Sequence, residues 1–519
     1  MKDTNNPANI FTFFRDRLFW QPALAALLLG LSRYPLKLNF LAFFAFLPLL
    51  FLLQQASSLR LKKIVKIALS FSTVYTLVAL YWISVVTLPG FIGLFILFGF
   101  YFILLFFVVG RIYKVLPRLR FVGLITCWLS FEWLQNFGEL RFPWFNLGYS
   151  LADYTSLIQI SEIGGIYLLS LLILIINILL FKILISFPTH KTLLYIITLL
   201  IVLSIWIGWG NYRLHNLKLI EDDFNASIVQ VSIPQYIKWD EAFYDSTLAL
   251  YREYTLKAAE EEPDLIILPE SAIPDYVLNF SRPLTYVKNL VRDTGIDLFL
   301  GLPHYEIDSD SGEYEYKFYN ATTLFYKDGR IHQPYYKIIL VPVGERIPFM
   351  DYIPPLRNLQ LGQANWEYGE DLVHFEVQKE DKKYRFSSLI CFEIAFPHLT
   401  SQLAADDVDF MVNVTNDAWF KKTVGPYQHG MMTVIRAVET RTQIYRAANT
   451  GISMIVDPRG VIRQRTRLYE QTVINDKLYL YPEQTIYVRY MRNYPALFVF
   501  LSSLLFIITI LCGISIKRT

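Results

Sequence analysis

The segment from about residue 220 to 487 contains one cysteine, Cys391, which ends the apolar run Phe386-Ser387-Ser388-Leu389-Ile390 and precedes Phe392-Glu393. The other two of the three cysteines, Cys127 and Cys512, lie in long apolar stretches. With no second thiol in its segment, Cys391 has no partner there for a structural bridge. It is either an inert core residue or a nucleophile. Its company favours the nucleophile. Glu270 ends the run Leu265-Ile266-Ile267-Leu268-Pro269, and Lys337 sits in the apolar setting Tyr335-Tyr336-Lys337-Ile338-Ile339-Leu340-Val341-Pro342. A carboxylate can take a thiol proton, and an ammonium can stabilise the oxyanion that forms when sulfur attacks a carbonyl. Glu345 follows in Gly344-Glu345-Arg346. Each residue alone also has a plain reading. Glu270 caps a turn, Lys337 snorkels at the surface, and Glu345 is a solvated partner of Arg346. The chemical signal is the order Glu, Lys, Cys at strand-linked positions.

The elements that must position these residues are short apolar runs bounded by turn residues. Strands are predicted at Ser227–Ile233, Leu265–Leu268, Leu298–Leu302, Ala321–Tyr326, Phe386–Ile390, Phe410–Val414 and Ile452–Val456. Helices are predicted at about 241–260, 284–294 and 427–447, with Pro426 suited to the first turn of the last. Alternation of strand and helix gives an α/β class with a largely buried sheet. Glu270 and Cys391 each follow a predicted strand, where open α/β sheets hold their ligands.

The composition adds a membrane. Hydrophobic residues make up 54 % of the 519 and charged residues 18 %, against about 25 % charged in ordinary soluble domains. The apolar excess fills residues 1 to about 210 and returns at about 494–516. Stretches at 20–31, 37–54, 67–87, 91–110, 121–136, 166–187, 192–210 and 495–516 suggest about eight spans by the rule of roughly 20 apolar residues per crossing. The division is a membrane domain at 1–215, an α/β domain at 220–487 and a last transmembrane helix at 494–516. Lys2, Arg15 and Arg17, then Arg60, Lys62, Lys63 and Lys66, then Arg111, Lys114, Arg118 and Arg120, and finally Lys517 and Arg518 fall on one side of this alternation. Basic residues gather on the cytoplasmic face. Both termini are expected there, with the α/β domain outside.

Other classes gain little. A net charge of +3 gives no support to nucleic-acid binding, and the seven histidines form no helical metal pair. No phosphate-cradling glycine loop occurs, so neither a metal nor a nucleotide cofactor is expected. The triplets Asn320-Ala321-Thr322 and Asn413-Val414-Thr415 look like glycosylation acceptors, a pattern common by chance. Two rivals stay open: a membrane-tethered amidase using the same three residues, and a transporter or receptor whose external domain only binds. Intramembrane charges would mark the latter, and apart from Glu132 and Lys182 the predicted spans hold few.

The segments Leu268-Pro269-Glu270-Ser271, Tyr336-Lys337 with Gly344-Glu345-Arg346, and Ile390-Cys391-Phe392-Glu393 resemble the nitrilase (carbon–nitrogen hydrolase) superfamily. Asn413-Val414-Thr415-Asn416-Asp417-Ala418-Trp419-Phe420 and the helix around Arg436-Ala437-Val438-Glu439 extend the match. With the apolar half included, essentially the full length resembles the bacterial apolipoprotein N-acyltransferases. The matching segments there are Phe142-Pro143-Trp144-Phe145-Asn146-Leu147-Gly148-Tyr149-Ser150, Ile233-Pro234-Gln235 with Lys238-Trp239-Asp240, and Gly425-Pro426-Tyr427-Gln428-His429. One departure is Phe392, where the family often has tyrosine.

The resemblance implies a nitrilase-like αββα sandwich with a Glu270, Lys337 and Cys391 triad, supported by Glu345, Trp239, Phe392 and Glu393. Glu345 is then expected to orient Lys337 or the acceptor. Trp239, Phe142, Trp144 and Phe145 are expected at the substrate entrance, or else in an interfacial aromatic belt. It also implies an acyl donor that is a membrane phospholipid, phosphatidylethanolamine being expected. The implied acceptor is the N-terminal amine of a diacylglyceryl-cysteine on an apolipoprotein, in a bacterial inner membrane and without a cofactor. Fusion to spans makes physical sense, because bringing acyl chains into water costs about 0.8 kcal/mol per CH₂.

Overall fold

The structure, a computed structural model, describes residues 16–55, 60–308, 315–359 and 365–518. Lys2 and Arg15, counted above on the basic side, lie outside them.

The first half is helical: α1 (Arg17–Leu31), α2 (Leu47–Gln55), α3 (Leu61–Ala79), α4 (Leu88–Val115), α5 (Arg120–Leu134), α6 (Ser161–Ser186) and α7 (His190–Asn216). After the α/β half, α12 (Ala496–Arg518) returns and packs against α4 and α5. Among the described residues three helices, α4, α6 and α7, are long and apolar enough to cross a membrane. Of the other stretches expected to cross, α1 has 15 residues and α2 has 9, each shorter as a single helix than the roughly 20 residues of one straight crossing. Inside α6 the backbone breaks at Gly164 and Gly165, the latter at φ +59°. A side chain at Gly165 would meet the Tyr487 ring. The freed amide of Ile166 donates to the buried Glu439 carboxylate at 2.5 Å.

Among the described residues the α/β half is built from two six-stranded sheets. Its strands are β1 (Ile220–Gln230), β2 (Leu265–Ile267), β3 (Asp297–Asp308), β4 (Glu315–Phe325), β5 (Tyr335–Tyr336), β6 (His374–Lys379), β7 (Lys382–Ile390), β8 (Phe410–Thr415), β9 (Gln443–Ala448), β10 (Met454–Val456), β11 (Ile462–Arg465) and β12 (Thr472–Leu480). One sheet runs β12-β1-β2-β3-β4-β5 and the other β11-β10-β9-β8-β7-β6. Each is parallel at its centre, β1 to β3 and β7 to β9. The longer helices are α8 (Tyr244–Ala259), α9 (Ser281–Thr294), α10 (Pro397–Ala405) and α11 (Gly425–Thr440), and a one-turn helix spans Gln235–Lys238.

Facing side chains of the two sheets, among them Phe224, Phe299, Phe375, Phe386 and Phe410, form one core. α8 and α9 cover the first sheet through Leu248, Tyr251, Val287 and Leu290. α10 and α11 cover the second, but their apolar residues Leu399, Leu403, Met432 and Ile435 belong to the same cluster as the helices of the first half. The layers are therefore helix, sheet, sheet, helix, with the last helix layer set into the apolar bundle.

Three sequence expectations change. The helix expected at 427–447 ends at Thr440, because Arg441 turns the chain at φ +54° and a strand follows. That turn is held from the other half, Arg441 donating to Glu162 at 2.9 Å and to Gln159 at 2.9 Å. No glycine or proline marks it. Strands β5, β6, β11 and β12 were not expected; all four are edge strands, β5 has two residues, and the other three are exposed or half-buried on alternate or nearly all residues. The largely buried sheet read from the strand pattern is a pair of sheets, the arrangement the implied αββα sandwich requires.

Candidate active site

Glu270 and Cys391 lie just beyond the carboxyl ends of β2 and β7, in opposite sheets. Both turns are tight. Ser271, after Glu270, has φ +48°, and Cys391 itself has φ +50°. Non-glycine residues held in this region cost about 1–3 kcal/mol and cluster at functional sites. Beneath Glu270 the chain of β3 passes at Gly301, where an added Cβ would come within 2.7 Å of the Glu270 Cα. Glycine is required there by close approach.

The Glu270 carboxylate accepts from Asn320 Nδ2 at 2.7 Å and from the backbone amide of Asn416 at 2.7 Å. Burial pushes its pKa up, Lys337 opposes, and Glu345 adds to the rise. Lys337 is wholly buried and donates to Glu345 Oε1 at 2.7 Å. It is no snorkelling surface lysine. Burial alone would lower its pKa, but Glu345, Cys391 and Glu270 together hold it above the ordinary value. Glu345 also accepts from the Val341 amide at 2.8 Å and from Asn320 at 3.2 Å. Arg346 pairs instead with Asp351 and Glu367. Burial pushes the Cys391 thiol up, Glu270 adds to this, and Lys337 opposes. At rest the sulfur is a thiol that needs a base.

Glu393 is wholly buried beside these residues. Its carboxylate accepts from Tyr335 and from the amides of Ile338, Ile339 and Ile390, at 2.7 to 3.1 Å. It thereby joins the Cys391 turn to the backbone just after Lys337. Burial raises its pKa to about 7 against these donors. Phe392 stacks beside Trp144 and Phe142.

A cavity of about 690 Å³ begins at Glu270, Glu345 and Cys391 and is walled by Phe392, Trp144 and Phe142. It continues to Gly93, Leu97 and Phe100 of α4. Ile96 and Phe100 are also outward-facing, at 67 % and 61 % exposure. The cavity thus joins the three polar residues to the apolar surface of a helix long enough to span a membrane. Two expected entrance residues are not among its lining. Trp239 is 50 % exposed, because Lys238, not Trp239, is the inward residue of the turn Gln235–Lys238. Phe145 is buried against Tyr75 and Phe98.

Several site residues had no role assigned from the sequence. Asn320 bridges both carboxylates, and neither it nor Asn413 is exposed enough to accept a glycan. His429 lines the cavity, with Nε2 3.0 Å from the Cys391 carbonyl oxygen and Nδ1 2.9 Å from Asp417. Burial opposes the Asp417 charge, yet Arg446 and His429 hold its pKa down at about 2. Lys238 donates to the Glu270 carbonyl at 3.0 Å. The segments carrying Asn416, Asp417, His429 and Lys238 were visible as motif stretches; their contacts were not.

The chain matches a carbon-nitrogen hydrolase family model over residues 225–478 and an apolipoprotein N-acyltransferase N-terminal domain model over residues 25–179. It is 36 % identical over 368 residues to an apolipoprotein N-acyltransferase of Geobacter metallireducens, covering 70 % of this chain and 69 % of that one. Proteins of the same name from Chlorobaculum tepidum and Rickettsia prowazekii are 28 % and 31 % identical, over 92 % and 84 % of this chain and 93 % and 88 % of theirs. With both halves matched and the nitrilase-like fold in the second, the chain belongs to the apolipoprotein N-acyltransferase family.

Proposed function

We propose that the protein moves an acyl chain from a membrane phospholipid, with phosphatidylethanolamine as the expected donor, to the N-terminal amine of a diacylglyceryl-cysteine on an apolipoprotein. The observation that carries this reading is the cavity linking Cys391 to the outer face of α4. A hydrolase of small soluble amides has no use for such a passage, whereas a lipid donor keeps its tail in an apolar setting while its ester reaches the sulfur.

Glu270 takes the Cys391 proton, and the sulfur attacks the ester carbonyl. Lys337 and backbone amides near 391–392 stabilise the oxyanion. The intermediate collapses to a thioester, and the leaving alkoxide takes the proton from Glu270 and departs as lysophospholipid. The acceptor amine then loses a proton to Glu270 and attacks the thioester. The amide forms, and the departing sulfur recovers the proton. Glu345 holds Lys337, and Phe392 with Trp144 keeps water from the thioester.

This reading places the protein in a bacterial inner membrane with about eight spans over 1–215 and 494–516, and the catalytic domain, 220–487, on the outer side. A reporter inserted between Lys114 and Pro117 should then be cytoplasmic, and one at the Asp328–Gly329 turn should not. The reverse pattern would overturn the topology. For the chemistry, the intact mass after exposure to phosphatidylethanolamine should gain one acyl group on Cys391. A peptide with a lipidated N-terminal cysteine and free amine should discharge it, and its N-acetylated form should not. Equal discharge by both would make water the acceptor and the protein a hydrolase.

A further inference from the structure

Lys238 ends a one-turn helix, Gln235–Lys238, whose next residue, Trp239, is half exposed. Lysine is almost never fully buried unless paired, yet Lys238 is 1 % exposed and its Nζ donates to the Glu270 carbonyl at 3.0 Å. A neutral side chain would satisfy a carbonyl with far less desolvation, so the charge needs another reason. Two carboxylates, Glu270 and Glu345, share this buried region. Lys337 gives its hydrogen bond to Glu345. The donors to the Glu270 carboxylate among the described residues, Asn320 Nδ2 and the Asn416 amide, are both neutral. The region thus holds a second anion and a second buried cation.

We infer that Lys238 is a positioning residue for Glu270, its ammonium pinning the turn by the carbonyl and its charge keeping the carboxylate ionised as a base. The assignment rests on the reading of Glu270 and Cys391 given above. The charged and titratable groups around Glu270 are Lys337 after β5, Glu345 in the following loop, Lys238 itself and Cys391 after β7. Asp417 after β8 faces Cys391 and is already paired with Arg446 and His429. Burial lowers the Lys238 pKa to about 8 and Glu270 opposes that fall. Its charge is therefore present in the acid and neutral range and fades as pH rises through about 8.

The test is the pH dependence of Cys391 alkylation by iodoacetamide in the full-length protein, with Cys512→Ser to silence the exposed thiol and peptide mapping to assign the adduct. Lys238→Met and Lys238→Gln remove the charge, and Gln keeps a donor; Lys238→Arg keeps both. Losing a nearby cation raises a carboxyl pKa, so the acidic limb should move up by on the order of 1 unit in the Met and Gln variants and hold in Arg. An unmoved limb in Met and Gln, or a shift in Met alone, would overturn the role of the charge. Thermal melting is measured first; if Met and Gln fail to fold, Lys238 is a structural strut and the inference falls. Acyl uptake from phospholipid is followed in parallel. A shifted alkylation limb in a protein that takes no acyl group would keep this inference and sink the proposed function.

Discussion

At Cys391, burial holds the thiol pKa up, so under the proposed mechanism acyl-enzyme formation depends on Glu270 being ionised. The Glu270 pKa is raised by burial from the ordinary 4.5. The rate of acyl uptake should therefore fall with acid along a limb lying above that value, followed by quenched mass measurements across pH. Glu270→Gln should abolish uptake itself, not merely discharge. Lys337→Met should slow it about 10²–10³-fold, the usual loss for an oxyanion donor. Uptake at the normal rate in either variant would mean the role is misassigned. The three residue types and their order were legible in the sequence because each follows or adjoins an apolar strand. Asn320 and Lys238 were not, because an asparagine in a chance triplet and a lysine beside an exposed tryptophan carry no local sign of burial. Their placement comes from partners up to 50 residues distant.

The elements hold the site with little slack. Gly301→Ala puts a methyl against the Glu270 backbone, which cannot swing aside as a side chain tip would. Overpacking of this kind costs about 1–3 kcal/mol, and the displaced carboxylate should cut acyl uptake about 10²-fold. An unchanged rate with a lowered melting temperature would show that β3 yields instead. Gly93 of α4 is the opposite case: it lines the cavity, and a Cβ there meets nothing within 4 Å. Gly93→Leu should fold normally yet shorten the cavity, so competition between donors should favour shorter chains on Cys391, as read by adduct mass. The long apolar strands were legible from their runs. Strands β11 and β12 were not, since edge strands with solvated faces lack the apolar signature. The end of α11 was hidden because Arg441 makes its turn with support from Glu162, far away in sequence.

For the whole molecule, the decisive fact is that the inner helix layer of the sandwich has no core of its own. Leu399, Met432 and Ile435 pack in one cluster with Phe46, Phe98 and Trp128. Gln428 of α11 accepts from Trp82 and Trp144 and donates to the Ala79 carbonyl. Tyr149 donates to the Ala395 carbonyl across the same boundary. Residues 220–487 produced alone should therefore aggregate or bind a hydrophobic dye, and should not alkylate at Cys391 with the pH profile of the full chain. A soluble, monomeric fragment with that profile would contradict the shared core. Composition alone announced an apolar half and a mixed half, but not that they interlock.

The order of elements along the chain has a consequence for when the protein becomes an enzyme. α12 is made after the whole α/β half, yet it packs against α4 and α5, where Ser502 meets Ser130 at 3.0 Å and Thr509 accepts from Arg111 at 3.0 Å. α4 is also a wall of the cavity that reaches Cys391. A chain that stops before Ala496 contains every polar residue of the site, and still lacks the helix that braces that wall. Under the proposed function, synthesis of α12 thus works as a timer: Cys391 is in place early, while the chamber that would feed it waits on α12.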